Sequence, residues 1–116
     1  MKDIEIQLEE ISKIIFLNAG KNQELEKYYL MCGSLFQDYD YLLEYIDYNL
    51  DVDEITDMQD TIYSDRKELN KLMKEYSERS NEYKNLFDES KILLDDIENN
   101  LEKISNDFID KQLFEE

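Results

Sequence analysis

Apolar residues recur at three- and four-residue steps along almost the whole chain, and no stretch alternates with the period of two that a strand requires. The pattern therefore predicts helices. The first is expected over about 3–18, with Ile4, Leu8, Ile11, Ile15 and Phe16 on one face. Asn18-Ala19-Gly20 supplies an ending, since Gly20 suits the left-handed position beyond a last turn, and Asn22 can cap the next start. The second helix is expected over about 23–50. Its core positions Leu25, Tyr28, Cys32, Leu35, Tyr39, Leu42 and Ile46 alternate steps of three and four, as in a coiled coil. Gly33 interrupts it at a cost of roughly 1 kcal/mol relative to Ala, which points to a bend, a close helix contact or a break.

Asp51-Val52-Asp53 reads as a turn, because either Asp can cap a following helix, and Asp51 with Glu54 has a capping-box-like spacing. Beyond it, Ile55, Met58, Ile62, Leu69, Leu72 and Tyr76 form one stripe, and Phe87, Leu94, Ile97, Leu101, Ile104 and Phe108 form another in a shifted register. The shift falls at Ser77-Glu78-Arg79-Ser80-Asn81. Ser and Asn favour caps over helix interiors, so the reading is two helices, about 54–79 and 81–114. The competing reading is one helix through a stutter, up to about 90 Å long at 1.5 Å per residue. The expected fold class is all-α: an antiparallel helical bundle of three to four helices with coiled-coil-like packing, in a single domain over 1–116.

Composition sharpens this picture. Pro is absent and Gly occurs twice, so few loops are available. Hydrophobic residues make up 41%, enough for a core and unlike a disordered acidic tail. The single Cys32 excludes an internal disulfide, fits a reducing compartment and is expected to be a small buried hydrophobe. The acidic, interrupted N-terminus does not read as a secretory signal, and no apolar run reaches the length of a membrane span. A cytoplasmic protein is expected. One Ala, and eleven Lys against two Arg, suggest an AT-rich coding sequence of a low-GC bacterium or its phage.

Charge is the anomaly. The net charge is −17, and residues 28–65 hold ten acids, seven tyrosines and no Lys or Arg. The flanking segments mix their signs, as Arg66, Lys67, Lys71, Lys74, Arg79 and Lys84 do among the acids of 66–84. Such a field disfavours direct contact with nucleic acid or an anionic membrane and favours a basic protein surface. In the register of the second helix, Asp40, Glu44, Asp47 and Asp51 lie opposite the core at steps of four, three and four. Their carboxylates then recur every ~5 Å, against ~3.4 Å of axis per phosphate along one DNA strand. Asp53, Asp57 and Asp60 form a second line that meets the first at the 51–53 corner. Tyr41, Tyr45 and Tyr48 flank the first line and offer interface anchors. Asp38 and Glu54 complete the candidate partner-binding set, while Tyr28 and Tyr39 fall at core positions.

Catalysis is not expected. With no His, a His-based triad and an imidazole acid–base are excluded, and Cys32 lacks its usual activating base. Two glycines cannot build a phosphate-cradling loop. A calcium loop from Asp51 fails, with Ile55 fifth, Thr56 in place of the sixth-position Gly and Ile62 twelfth. No cofactor or metal is expected.

Two functions follow. One is an acidic DNA mimic that inhibits a nucleic-acid-binding protein, of the anti-CRISPR or anti-restriction type carried by phages and mobile elements; the chain resembles such proteins in size and charge only. The other is a structural or adaptor coiled-coil protein, such as an immunity or secretion-accessory protein, using its apolar seams to bind a partner helix, a toxin or a second copy of itself. Size and helicity are similar to the WXG-type secreted hairpins. The chain has neither Trp nor a Tyr-x-x-x-Asp/Glu near its C-terminus, and is not assigned to them.

Overall fold

A computed structural model describes residues 4–18 and 25–114, which form four helices: α1 (Ile4–Asn18), α2 (Glu26–Asp47), α3 (Val52–Arg79) and α4 (Lys84–Phe114). The expected ends at Asp3, Gly20, Asn22 and Gln23 lie outside the described residues. The helices pack side by side into an all-α bundle measuring 54 × 24 × 21 Å. α2 and α3 make the most extensive pairing, and α1 rests mainly on α4. Among the described residues α1 does not reach α3, so α2, α3 and α4 enclose the centre.

The second helix stops three residues earlier than its apolar pattern suggests. Asn49 takes a left-handed conformation with φ 59°, and its N–H donates to the Ile46 carbonyl at 3.1 Å. The Leu50 N–H reaches back to the Tyr45 carbonyl at 3.0 Å. These two bonds are a Schellman ending, with Asn in the place Gly usually takes. The third helix then starts at once, because the Asp51 carboxylate accepts from the Asp53 N–H at 2.8 Å. Asp51 therefore caps α3 and does not extend the acid line of α2. With only Tyr48–Asp51 between them, α2 and α3 are antiparallel.

The register shift near residue 80 is a true break. Ser80 is extended (φ −159°, ψ 144°), and its hydroxyl accepts from the Glu82 N–H at 3.1 Å. That local bond offers the chain an alternative to the helical ladder. Gly33 causes neither a break nor a close contact: α2 runs through it, and a Cβ there would meet nothing within 4 Å.

The two expected stripes supply the core. Ile55, Met58, Ile62, Leu69 and Leu72 are buried on α3, and Phe87, Leu94, Ile97 and Leu101 on α4, against Tyr28, Cys32, Leu35, Tyr39 and Leu42 of α2. Tyr76, Ile104 and Phe108 are half-buried at the margin, as are Ile4 and Leu8 of α1. The side chains of Ile11, Ile15 and Phe16 lie outside the described residues. Burial holds the Cys32 thiol up at about 12, which keeps it protonated and inert. The Tyr28 hydroxyl donates to Ser90, whose own hydroxyl donates to the Leu86 carbonyl at 2.7 Å. Gln7, also buried, accepts from Asn100 at 3.1 Å and fixes α1 on α4.

One polar group crosses the core. Arg66 is 7% exposed, so it is not one of the solvated, sign-mixing charges that the sequence suggested. It fills the gap in the α3 stripe between Ile62 and Leu69. Its Nη1 donates to Glu98 Oε2 at 3.0 Å, its Nη2 to Asp95 Oδ1 at 2.9 Å and its Nε to Asn70 at 3.0 Å. The Tyr39 hydroxyl donates to the same Glu98 oxygen at 2.5 Å. Three helices thus meet at one carboxylate. Desolvation works against the Arg66 cation, but Glu98 and Asp95 outweigh it and hold its pKa above the ordinary value.

Removing one member of a buried ion pair strands the other. Arg66→Ala is expected to cost about 3 kcal/mol in urea unfolding, with Asp95 too exposed to add much. Arg66→Met combined with Glu98→Gln should cost clearly less than the two changes summed, because no charge is left unpaired.

Candidate functional site

The acid-rich segment occupies the outer face of the α2–α3 hairpin and the corner that joins its helices. At 100° per residue, Asp40, Glu44 and Asp47 share the side of α2 turned away from the core, and all three are exposed. Asp51, Asp53 and Glu54 are exposed at the corner, and Asp57 and Asp60 continue along α3, also exposed. Among the described residues, no Lys or Arg forms an ion pair with any of these acids. Arg66, the one buried cation among the described residues, faces α4 instead.

The tyrosines sit between the two lines. Tyr41 and Tyr45 stack with ring centroids 6.5 Å apart and planes inclined by 16°. Tyr45 shares a groove with Glu54 and Asp57 across the helix seam, floored by Leu50 and Met58. Tyr48 ends the row at 76% exposure, on the turn where α2 stops. Tyr41 is 46% exposed, and Tyr45 is half-buried. The face therefore alternates acid, aromatic and acid across its width, with rigid anchors at its middle.

Asp38 departs from this arrangement. The sequence places it at the surface, but it is 9% exposed and turned into the α2–α3 seam, with Oδ2 fully buried. The reason is angular: Asp38 precedes core Tyr39 by one residue and core Leu42 by four, so it falls on the flank of α2 that meets α3. Asp65 of α3 is the acid that acts on it there, and the Asp38 Oδ2 finds no donor. Desolvation first, then the bond to Asp65 and its negative charge, push the Asp38 pKa up to about 7. Near neutrality Asp38 is about half protonated, so the segment's field is somewhat smaller than a formal count of its acids implies.

Sequence reasoning missed two further features. Glu98 and Asp95 of α4 are recruited by Arg66; the signal was the missing apolar residue between Ile62 and Leu69. A groove of about 250 Å³ also opens between α3 and α4, lined by Leu42, Ile62, Tyr63, Leu101 and Glu102 with Gln59 and Glu98. No linear pattern could have announced it, because its walls come from three helices. Among the described residues, no three metal-ligating side chains come together, and no helix is long and apolar enough to cross a membrane.

Asp38 gives a pH signature whose sign is fixed. Its folded pKa lies above its ordinary value of 3.8, so the folded state binds the extra proton and stability falls as pH rises from about 4 to about 7. Asp38→Asn keeps a donor for Asp65 and needs no proton. It is expected to be about 1–2 kcal/mol more stable than the parent at pH 8 and to lose that advantage near pH 4, as read by urea unfolding across the range.

No protein-family model, curated protein or solved structure matches the chain, so the reading of this face rests on its own residues.

Proposed function

We propose that the protein is a non-enzymatic inhibitor that presents the α2–α3 face as an imitation of a nucleic-acid backbone and occupies a basic groove of a DNA- or RNA-binding protein. The observation that carries this reading is the row of exposed acids at Asp40, Glu44, Asp47, Asp53, Asp57 and Asp60, unpaired among the described residues and interleaved with stacked tyrosines. A field of one sign steers a basic partner in and raises the association rate. The tyrosines supply the contact area that charge alone lacks. In this reading the protein acts in the cytoplasm of a bacterium that a phage or mobile element has entered, touches no nucleic acid or membrane itself, and uses no cofactor.

The adaptor reading has less support. It needs the α3 and α4 apolar seams at a surface, yet Ile55, Ile62, Leu69, Leu94, Ile97 and Leu101 are buried within one chain. A homodimer through those seams would require the bundle to open. The charge of −17 opposes the approach of a second copy.

The test is capture on the immobilised protein from a low-GC bacterial lysate, eluted in parallel by duplex DNA and by salt. The expected partner is a nucleic-acid-binding protein released by both, and lost when Glu44, Asp47, Asp57 and Asp60 are changed together to their amides. A partner that resists DNA and salt and still binds the amide variant contradicts the proposal.

A further inference from the structure

The α3–α4 groove combines a hydrocarbon floor with a carboxylate rim. Leu42, Ile62 and Leu101 form the floor, and all three are buried. Glu98 and Glu102 stand on the α4 side and Tyr63, 71% exposed, on the α3 side. The opening adjoins the acid line of α3, since Gln59 and Tyr63 on its lip flank Asp60 in sequence. An aliphatic ligand satisfies the floor but leaves the Glu102 carboxylate without a partner. A simple cation does the reverse. A side chain with a methylene stem and a cationic end satisfies both.

We infer that the α3–α4 groove receives an arginine side chain of the basic partner, with its stem on Leu42, Ile62 and Leu101 and its guanidinium between Glu102 and the Tyr63 ring. Arginine fits better than lysine because a planar guanidinium can stack on tyrosine and bond a carboxylate through two N–H groups at once. Glu98 contributes negative charge only, because its Oε2 is already held by Arg66 and Tyr39. The groove is then the anchoring pocket beside a broad electrostatic face, the usual division between a few deep contacts and a steering surround. A second copy of this chain is a poor occupant, given its charge and its two arginines, one of them buried. This inference rests on the proposed basic partner, but it concerns a different surface from the acid rows.

The experiment titrates the isotope-labelled full chain with a short basic peptide carrying one central arginine, and with its all-lysine counterpart, following amide shifts by NMR. The arginine peptide should shift Gln59, Ile62, Tyr63, Leu101 and Glu102 saturably. Glu102→Gln and the lysine peptide should each weaken that binding about fivefold, and Gln59→Trp, which fills the groove, should abolish it there. Both substitutions fall at the rim, and an unchanged helical circular-dichroism signal confirms the fold. Shifts confined to the acid rows, at Asp40, Glu44, Asp47, Asp53 and Asp57, would overturn the groove while leaving the acidic face intact as a binding surface. Groove shifts equal for both peptides would overturn the choice of arginine. Shifts at neither surface would overturn the groove and count against the acidic face as well.

Discussion

The guanidinium of Arg66 is the constraint on which the bundle depends. Hydrophobic stripes bring α2, α3 and α4 together, but such stripes tolerate sliding, since one leucine replaces another with small loss. A buried cation does not. It must find its carboxylates, and here Glu98 and Asp95 lie at 3.0 and 2.9 Å only when α3 and α4 are in one register. Tyr39 extends the same condition to α2 by donating to Glu98. The connection matters most between α3 and α4, which pack far less closely than α2 and α3 and leave a groove along their seam.

That constraint also shapes the charge on the outside. Arg66 immediately follows the segment that holds ten acids and no cation. Had it faced outward it would have screened them. Turned inward, it pairs with carboxylates of α4 and leaves the α2–α3 face unscreened, apart from the partly protonated Asp38. The Schellman ending at Asn49 and the Asp51 cap then hold the two acid lines antiparallel with the tyrosines between them. A uniform field on a rigid hairpin costs self-repulsion, and the well-packed core beneath it supplies the stability to carry that cost.

Much of this was legible in the sequence. Periodicity gave the four helices, the break near Ser80 followed from residues that bond their own backbone, and the interior places of Tyr28, Tyr39 and Cys32 followed from the heptad. Three things were not legible. The end of α2 is hidden because Asn49 replaces the glycine that normally signals a left-handed ending. Asp38 reads as a surface acid because one residue of rotation separates a surface acid from a seam acid, and only the neighbouring helix decides which it is. Arg66 looks like a solvated charge in the sequence because burial of a cation depends on partners 29 and 32 positions away, at Asp95 and Glu98. In each case the deciding group lies on another element, or a residue fills a role that its type seldom fills.

The most direct measurement of the central claim is the salt dependence of affinity between this protein and the partner it captures, for the parent and for a variant with Asp40, Glu44, Asp57 and Asp60 changed to their amides. If the acidic face is the contact surface, the parent's affinity falls steeply with ionic strength and the variant's slope is much shallower. Equal slopes for the two proteins, at equal folding stability, would contradict the account and leave the acids as a solubilising surface.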